Sequence, residues 1–204
     1  MTAWSAWTEP FAVPAGALDV YQSLQHLSPR ACVASHYHEG PENGLVVSGR
    51  VMRCEAPGGQ RDLPVATSFV TPAFVAHVTG NSTTEDAEQI TLHILPRGAI
   101  FAHPSTLAGF PPEVAGSSSR ARMCFPMAGL GYVVRARHAL VAEHGEFCLP
   151  ASDDATFVTV VNGELAVGDH RLKTGEGWCV AQRSAGSLVR GSGFAIMSEV
   201  RSSS

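Results

Sequence analysis

Three histidines and one glutamate in the first half of the chain have the types and spacing of a metal site. His36 and His38 are two residues apart, so on a β-strand both imidazoles point to the same face. Glu42 follows four residues later, across a Gly-Pro step at which the chain can bring its carboxylate back toward them. His77 comes after a short predicted strand and the turn at Pro72. Three imidazoles and one carboxylate suit a divalent first-row metal that keeps positions open for substrate or oxygen.

The segments that must position these residues alternate short apolar runs with turn residues, which is typical of β-strands. Residues 45–47 lead into Ser48-Gly49 and then residues 50–54, which predicts a hairpin with a glycine at its turn. Residues 89–95 alternate apolar and polar side chains before a proline. We find no long stretch with the 3.6-residue period of a helix, so an all-β protein is predicted.

Composition and charge exclude several classes of protein. With 204 residues, 45% hydrophobic and 16% charged, the chain can bury a core and does not have the composition of a disordered protein. No apolar run is long enough to cross a membrane as a helix. The net charge of −4 and the absence of a basic block argue against binding to nucleic acid. The five cysteines form no Cys-x-x-Cys and no secretory leader is visible, which predicts reduced thiols and a cytoplasmic location.

The first half of the chain resembles the cupin family. The first motif of that family is His-x-His, three residues, Glu, six residues and Gly, and its spacing is matched by His36, His38, Glu42 and Gly49. The second motif is Pro-x-Gly-x-x-His-x-x-x-Asn, and it is matched by Pro72, His77 and Asn81, with Phe74 in place of the glycine. The resemblance implies that His36, His38, Glu42 and His77 bind one divalent metal inside a jelly-roll β-barrel.

A second run of predicted strands suggests two tandem cupin units. It begins at residues 132–134 and continues through 156–161 to a turn at Asn162-Gly163. Residues 46–51 resemble residues 160–165, as a repeated unit would. We therefore expect an N-terminal cupin unit with the metal site (1–100), a linker (101–125) and a degenerate C-terminal unit (126–204). In that second unit the ligand positions are occupied by Pro150, Ser152 and Thr156, so it is expected to hold no metal.

The resemblance implies a metal-dependent enzyme that acts on a small molecule. Dioxygenation at Fe(II) is the first hypothesis because the site leaves room for two exogenous ligands. A lyase, isomerase or cyclase that uses Zn, Mn or Ni as a Lewis acid is the second hypothesis. A ligand-binding or sensor protein is the third, because residues 44–96 also resemble the sensor domains of AraC-type transcription regulators. Cupins commonly pair through their sheets, so a homodimer is an expectation too.

Other side chains near the motifs have roles that the sequence leaves open. His93 either faces the barrel interior as a catalytic acid or base, or points outward. Glu39 competes with Glu42 as the carboxylate ligand, although the spacing favours Glu42. Arg50 and Arg53 share a face in this interpretation, and there they either clamp a substrate carboxylate or form a solvated edge.

The remaining aromatic and imidazole side chains are predicted from their surroundings. Phe69 and Phe74 are expected to fill the barrel, and Tyr37 is expected to pack on the face opposite the metal ligands. The histidines without ligand spacing are expected to be exposed: His26, His103, His138, His144 and His170.

Overall fold

The computed structural model describes residues 2–106, 108–130, 133–142, 145–148, 155–180 and 188–203. These residues contain β-strands and no helix, which confirms the all-β prediction. Accordingly, no helix in the described ranges has the length and apolarity needed to span a membrane. The strands in chain order are β1 (Thr2–Trp4), β2 (Phe11–Ala12), β3 (Leu18–Leu27), β4 (His36–Tyr37), β5 (Glu42–Ser48), β6 (Arg50–Glu55), β7 (Gly59–Pro64), β8 (Ser68–Thr71), β9 (His77–Gly80), β10 (Ala87–Pro96), β11 (His103–Pro104), β12 (Ser117–Met127), β13 (Val133–Ala142), β14 (Gly145–Cys148), β15 (Ala155–Val167), β16 (His170–Lys173), β17 (Gly177–Val180) and β18 (Leu188–Ser202).

Strands β3 to β12 are divided between two facing antiparallel sheets, as in a jelly-roll barrel. One sheet has the order β12-β3-β10-β5-β8 and the other has the order β11-β4-β9-β6-β7. Apolar side chains from both sheets pack between them, among them Val46, Val51, Leu63 and Phe69. Phe69 is thus buried as expected.

Gly49 stands at a corner of this barrel, and the hairpin predicted there is wrong. Strand β5 pairs with β10 and β8, whereas β6 pairs with β7 and β9, so the chain changes sheets between Ser48 and Arg50. Gly49 has a φ of +65°, and a Cβ atom there would lie 2.4 Å from the carbonyl oxygen of Asp86. Only glycine fits this corner without displacing backbone.

The C-terminal strands form a further sheet, in which β1, β13, β18, β15 and β16 are neighbours in that order. This sheet packs on the back of the barrel through an apolar core that includes Val20, Leu92, Phe125 and Phe157. The turn predicted at Asn162-Gly163 is wrong, because β15 continues through both residues and pairs with β18.

The division of the chain into two cupin units stays a prediction. Residues 117–127 of the segment around the expected linker form β12, which pairs along β3 in the barrel. Thr156 is a buried residue of β15. Pro150, Ser152, Tyr132 and His144 lie outside the described residues.

His138 is fully buried, so its predicted exposure is wrong. Its Nδ1 lies 2.9 Å from the hydroxyl of Ser198, which accepts a hydrogen bond from Gln22 Nε2 at 2.8 Å. The oxygen of Gln22 accepts a hydrogen bond from Thr159 at 2.7 Å. This network joins β13, β18 and β15 to β3, and therefore links the C-terminal sheet to the barrel. Of the other histidines expected to be exposed, His170 is exposed and His26 is half-buried.

Candidate metal centre

The histidines and the glutamate singled out by the motifs meet between the two sheets of the barrel. Pairing of β4 with β9 places His36 directly opposite His77. Pairing of β5 with β10 in the facing sheet places Glu42 directly opposite His93. His38 follows β4, and its ring centroid lies 4.9 Å from that of His36 and 4.5 Å from that of His93. The fold thus brings together five side chains from four segments of the chain.

Backbone carbonyls hold the three motif imidazoles in one tautomer. Nδ1 of each ring faces a carbonyl oxygen, which can only accept, so the Nδ1 atom must carry the proton. The His36 ring donates to the carbonyl oxygen of Ala34 at 2.7 Å. The His38 ring donates to that of Phe101, and the His77 ring to that of Val75 at 3.0 Å. In the neutral rings the Nε2 lone pairs are therefore left free for another partner, which is how metal-binding histidines are usually oriented.

These free nitrogens converge. One ligand atom from each of His36, His38 and His77 lies within 4.8 Å of the others, and the same holds for His38, Glu42 and His93. Nε2 of His38 and Nε2 of His77 are both buried, and Nε2 of His38 has no hydrogen-bond partner. Nε2 of His77 also lies 2.9 Å from Oε2 of Glu42. Two lone-pair atoms this close repel each other unless a proton or a metal cation lies between them, so the donor set fits a divalent metal.

Arg53 is fully buried and holds the carboxylate of Glu42 from β6 in the facing sheet. Its Nη1 and Nη2 donate to Oε1 and Oε2 at 3.1 and 2.8 Å, and its remaining contacts include the hydroxyls of Thr79 and Thr71. Arg50, in contrast, is exposed at the start of β6. The shared face expected for Arg50 and Arg53 is thus wrong, because residues three apart on a strand point to opposite faces. The solvated edge is confirmed for Arg50 and is wrong for Arg53.

Burial and the ion pair set the protonation of the centre. Burial by itself would raise the pKa of Glu42, but Arg53 and His77 hold that pKa well below its usual range. Burial lowers the pKa of His38 to about 4. Burial, together with the neighbouring imidazoles, also lowers the pKa values of His36 and His93. Glu42 is thus a carboxylate and these imidazoles are neutral near pH 7, which are the forms that bind metals.

His93 faces the barrel interior, which is one of the two orientations left open by the sequence. It is buried, and its Nε2 lies 3.7 Å from Oε1 of Glu42. Unlike the three motif histidines, its Nδ1 has no hydrogen-bond partner. No backbone carbonyl therefore fixes which of its nitrogens carries a proton.

Glu39 and its neighbours lie on the outer side of the β4 segment. Glu39 accepts a hydrogen bond from Nε2 of His103 at 2.8 Å. Its carboxylate is therefore not the one that meets the motif histidines. Tyr37 stacks on the His103 ring with a centroid distance of 4.9 Å, in agreement with a packing role. His103 is half-buried rather than exposed. Phe74 is 67% exposed, so the expectation that it fills the barrel is wrong.

A cavity of about 460 Å³ opens onto the centre, with His36, Glu42 and His93 in its wall. Much of the remaining wall comes from the segment that the sequence suggested was a linker: Phe101, Ala102, Pro104, Ser117, Ser118, Ser119 and Arg122. No sequence signal marks these residues, because they have no motif spacing and reach the cavity only through the pairing of β11 with β4 and of β12 with β3.

No protein-family model matches the chain, and no curated protein matches it in sequence. Solved structures do match it. YhaK from Escherichia coli has a TM-score of 0.57 at 10% identity, covering 93% of this chain and 92% of that chain. AerE from Microcystis aeruginosa has a TM-score of 0.51 at 15% identity, with 97% of each chain covered. A gentisate complex of a salicylate 1,2-dioxygenase mutant from Pseudoaminobacter salicylatoxidans has a TM-score of 0.50 at 13% identity, covering 89% of this chain and 68% of that chain.

These three proteins are of the cupin type, and identities of 10–15% carry the likeness as far as the fold. The facing sheets, the corner at Gly49 and the buried histidine cluster agree with that likeness. This chain therefore has the cupin fold.

Proposed function

We propose that this protein is a metal-dependent oxygenase of a small molecule, with dioxygenation as its reaction. The observation that carries the proposal is the convergence of imidazole nitrogens and the Glu42 carboxylate at the wall of a cavity of about 460 Å³. A cavity of this size suits a small organic substrate.

The residues that would hold the metal are His36, His38, His77 and Glu42. Fe(II) is the first candidate, and Zn, Mn and Ni suit the same donor set. A bound Fe(II) ion would supply the one-electron chemistry that reaction with O₂ requires. The ion pair with Arg53 limits how Glu42 can serve, because it occupies one lone-pair direction on each carboxylate oxygen.

In this proposal His93 moves a proton. Its ring lines the cavity, its Nδ1 has no partner, and its Nε2 faces Glu42. A neutral imidazole in this position can take a proton from a substrate hydroxyl and return it later in the reaction. Phe101 packs its ring 4.7 Å from that of His93, which limits the access of water to this imidazole.

The comparison with salicylate 1,2-dioxygenase suggests which substrate to test first. That protein shares the fold and its structure contains gentisate, so a small aromatic acid is a reasonable first substrate to test.

The second candidate is a non-redox lyase, isomerase or cyclase. The observation in its favour is the His93–Glu42 pair at 3.7 Å, because proton transfer next to a Lewis acid needs no oxygen. A ligand-binding or sensor role, a homodimer and a cytoplasmic location also remain predictions.

Oxygen uptake separates these functions. Protein loaded with Fe(II) without oxygen is mixed with air-saturated buffer and gentisate, salicylate, catechols, diketones or thiols. The oxygenase proposal predicts oxygen consumption that depends on substrate and on iron, and that is lost in His36→Ala. Substrate conversion without oxygen consumption would favour the lyase, isomerase or cyclase instead.

A further inference from the structure

We propose that Arg122 is the anchor for a carboxylate on the substrate, so that the substrate is a small organic anion. This inference rests on the proposed function of the same cavity and adds the chemical class of its substrate. Arg122 lies on β12 in the cavity wall. Among the described residues that line the cavity it is the only arginine or lysine.

No negative charge among the described residues of the cavity wall neutralises the positive charge of Arg122. Glu42 is the one carboxylate among the described lining residues, and Arg53 binds both of its oxygens. The guanidinium of Arg122 makes no hydrogen bond or ion pair with any described residue, and its contact with Phe101 is a ring contact. A divalent metal would add further positive charge. The cavity is therefore complementary to an anion.

The position of Arg122 is nevertheless defined. Its guanidinium carbon lies 4.4 Å from the ring centroid of Phe101, within the range of a cation–π contact. A cation–π contact uses none of the guanidinium N–H groups as hydrogen-bond donors, and these are the groups that bind a carboxylate in a two-pronged pair.

Phe101 also connects this anchor to the reacting groups. The Phe101 ring lies 4.7 Å from the His93 ring and 5.4 Å from the His38 ring, so one phenyl ring separates Arg122 from the imidazoles. A small molecule can therefore place its carboxylate at Arg122 and its reacting end at the histidines. Ser117, Ser118 and Ser119 line the same wall and add polar groups to it.

The test measures binding, which does not require turnover. Titration calorimetry under anaerobic conditions compares salicylate with salicylamide, and benzoate with benzamide, on protein loaded with Fe(II). Each amide keeps the shape of its acid but removes the charge. We expect at least one acid to bind about 10- to 100-fold more tightly than its amide, as a charged hydrogen-bonded pair would give.

Variants assign that preference to one side chain. Arg122→Met is expected to abolish the preference, and Arg122→Lys to retain part of it because a lysine keeps the charge but loses the two-pronged geometry. Arg120→Met is the matched control, because Arg120 is on the same strand and pairs with Glu88, away from the cavity lining. Arg120→Met should keep the full preference.

Absence of any acid preference in the wild-type protein, or a preference that survives in Arg122→Met, would overturn the assignment of Arg122. Failure of the proposed function can be distinguished from failure of the Arg122 assignment. If acids bind through Arg122 but no acid supports oxygen uptake, the anchor stands and the oxygenase does not. If a substrate supports oxygen uptake equally well in Arg122→Met, the oxygenase stands and the anchor does not.

Discussion

Arg53 and Glu42 form a buried ion pair that joins the two facing sheets of the barrel, with Nη2 2.8 Å from Oε2. The guanidinium also packs 4.3 Å from the ring centroid of Phe69. Because Glu42 lies between Arg53 and the His77 imidazole, this one carboxylate links the structural core of the barrel to the candidate metal centre.

Removal of Arg53 should destabilise the protein strongly. Arg53→Met leaves the carboxylate of Glu42 buried without its main partner, and we expect a loss of about 3–5 kcal/mol in the free energy of unfolding. Urea denaturation measures this loss, and adding Glu42→Gln should recover much of it by removing the orphaned charge. Arg61→Met is the control: Arg61 is half-exposed and pairs with Glu55, so its loss should cost less than about 1 kcal/mol. Equal effects of the two arginine variants would contradict this account of the pair.

Replacement of His93 should separate catalysis from metal binding. His93→Asn is expected to lower kcat by about 10²–10⁴-fold, because it removes the group that moves the proton. The metal-to-protein ratio should stay at the wild-type value, since the nitrogens of the three motif histidines are unchanged. Loss of metal in His93→Asn would instead make His93 a ligand.

Stability should fall in acid in part because of His138. Burial lowers the pKa of His138 to about 3, from the ordinary value of 6.5 that it regains in the unfolded chain. Between these values only the unfolded chain binds this proton. The contribution of His138 to the free energy of unfolding is therefore fully present above pH 6.5, and it falls by about 1.4 kcal/mol per pH unit as the pH falls toward 3.

The share that belongs to His138 is measurable by difference. Urea denaturation at two pH values inside this window should show a shallower pH dependence for His138→Asn than for the wild-type protein. The exposed His170→Asn variant should keep the wild-type dependence. If His138→Asn shows the wild-type slope, His138 is not a buried neutral histidine.

Local pattern predicted the parts of this molecule that depend on local geometry. The two-residue period of a strand placed His36 and His38 on one face, and their rings indeed lie 4.9 Å apart. The alternation of residues 89–95 indicated a strand that buries Leu92 against the C-terminal sheet and His93 toward the barrel.

The rest depends on which strands become neighbours, and local pattern does not contain that information. A hairpin and a barrel corner both favour a glycine at position 49, and only the strand pairing distinguishes them. Arg53 has an ion-pair partner in the facing sheet, and Arg122 reaches the cavity because β12 pairs with β3. The same limit explains the wrong predictions for Phe74 and His138, since the burial of each is decided by distant segments.

The most direct test of the account is the metal content of the protein with and without His77. The protein and its His77→Ala variant are purified without an affinity tag, reconstituted separately with Fe(II), Mn, Ni and Zn, and analysed for bound metal by elemental analysis, with circular dichroism as the check on folding. We predict about one metal ion per wild-type chain for at least one of these metals, and a far lower ratio in a variant that keeps its β-sheet spectrum. A wild-type ratio near zero with all four metals, or a His77→Ala variant that still binds stoichiometrically, would contradict the metal centre.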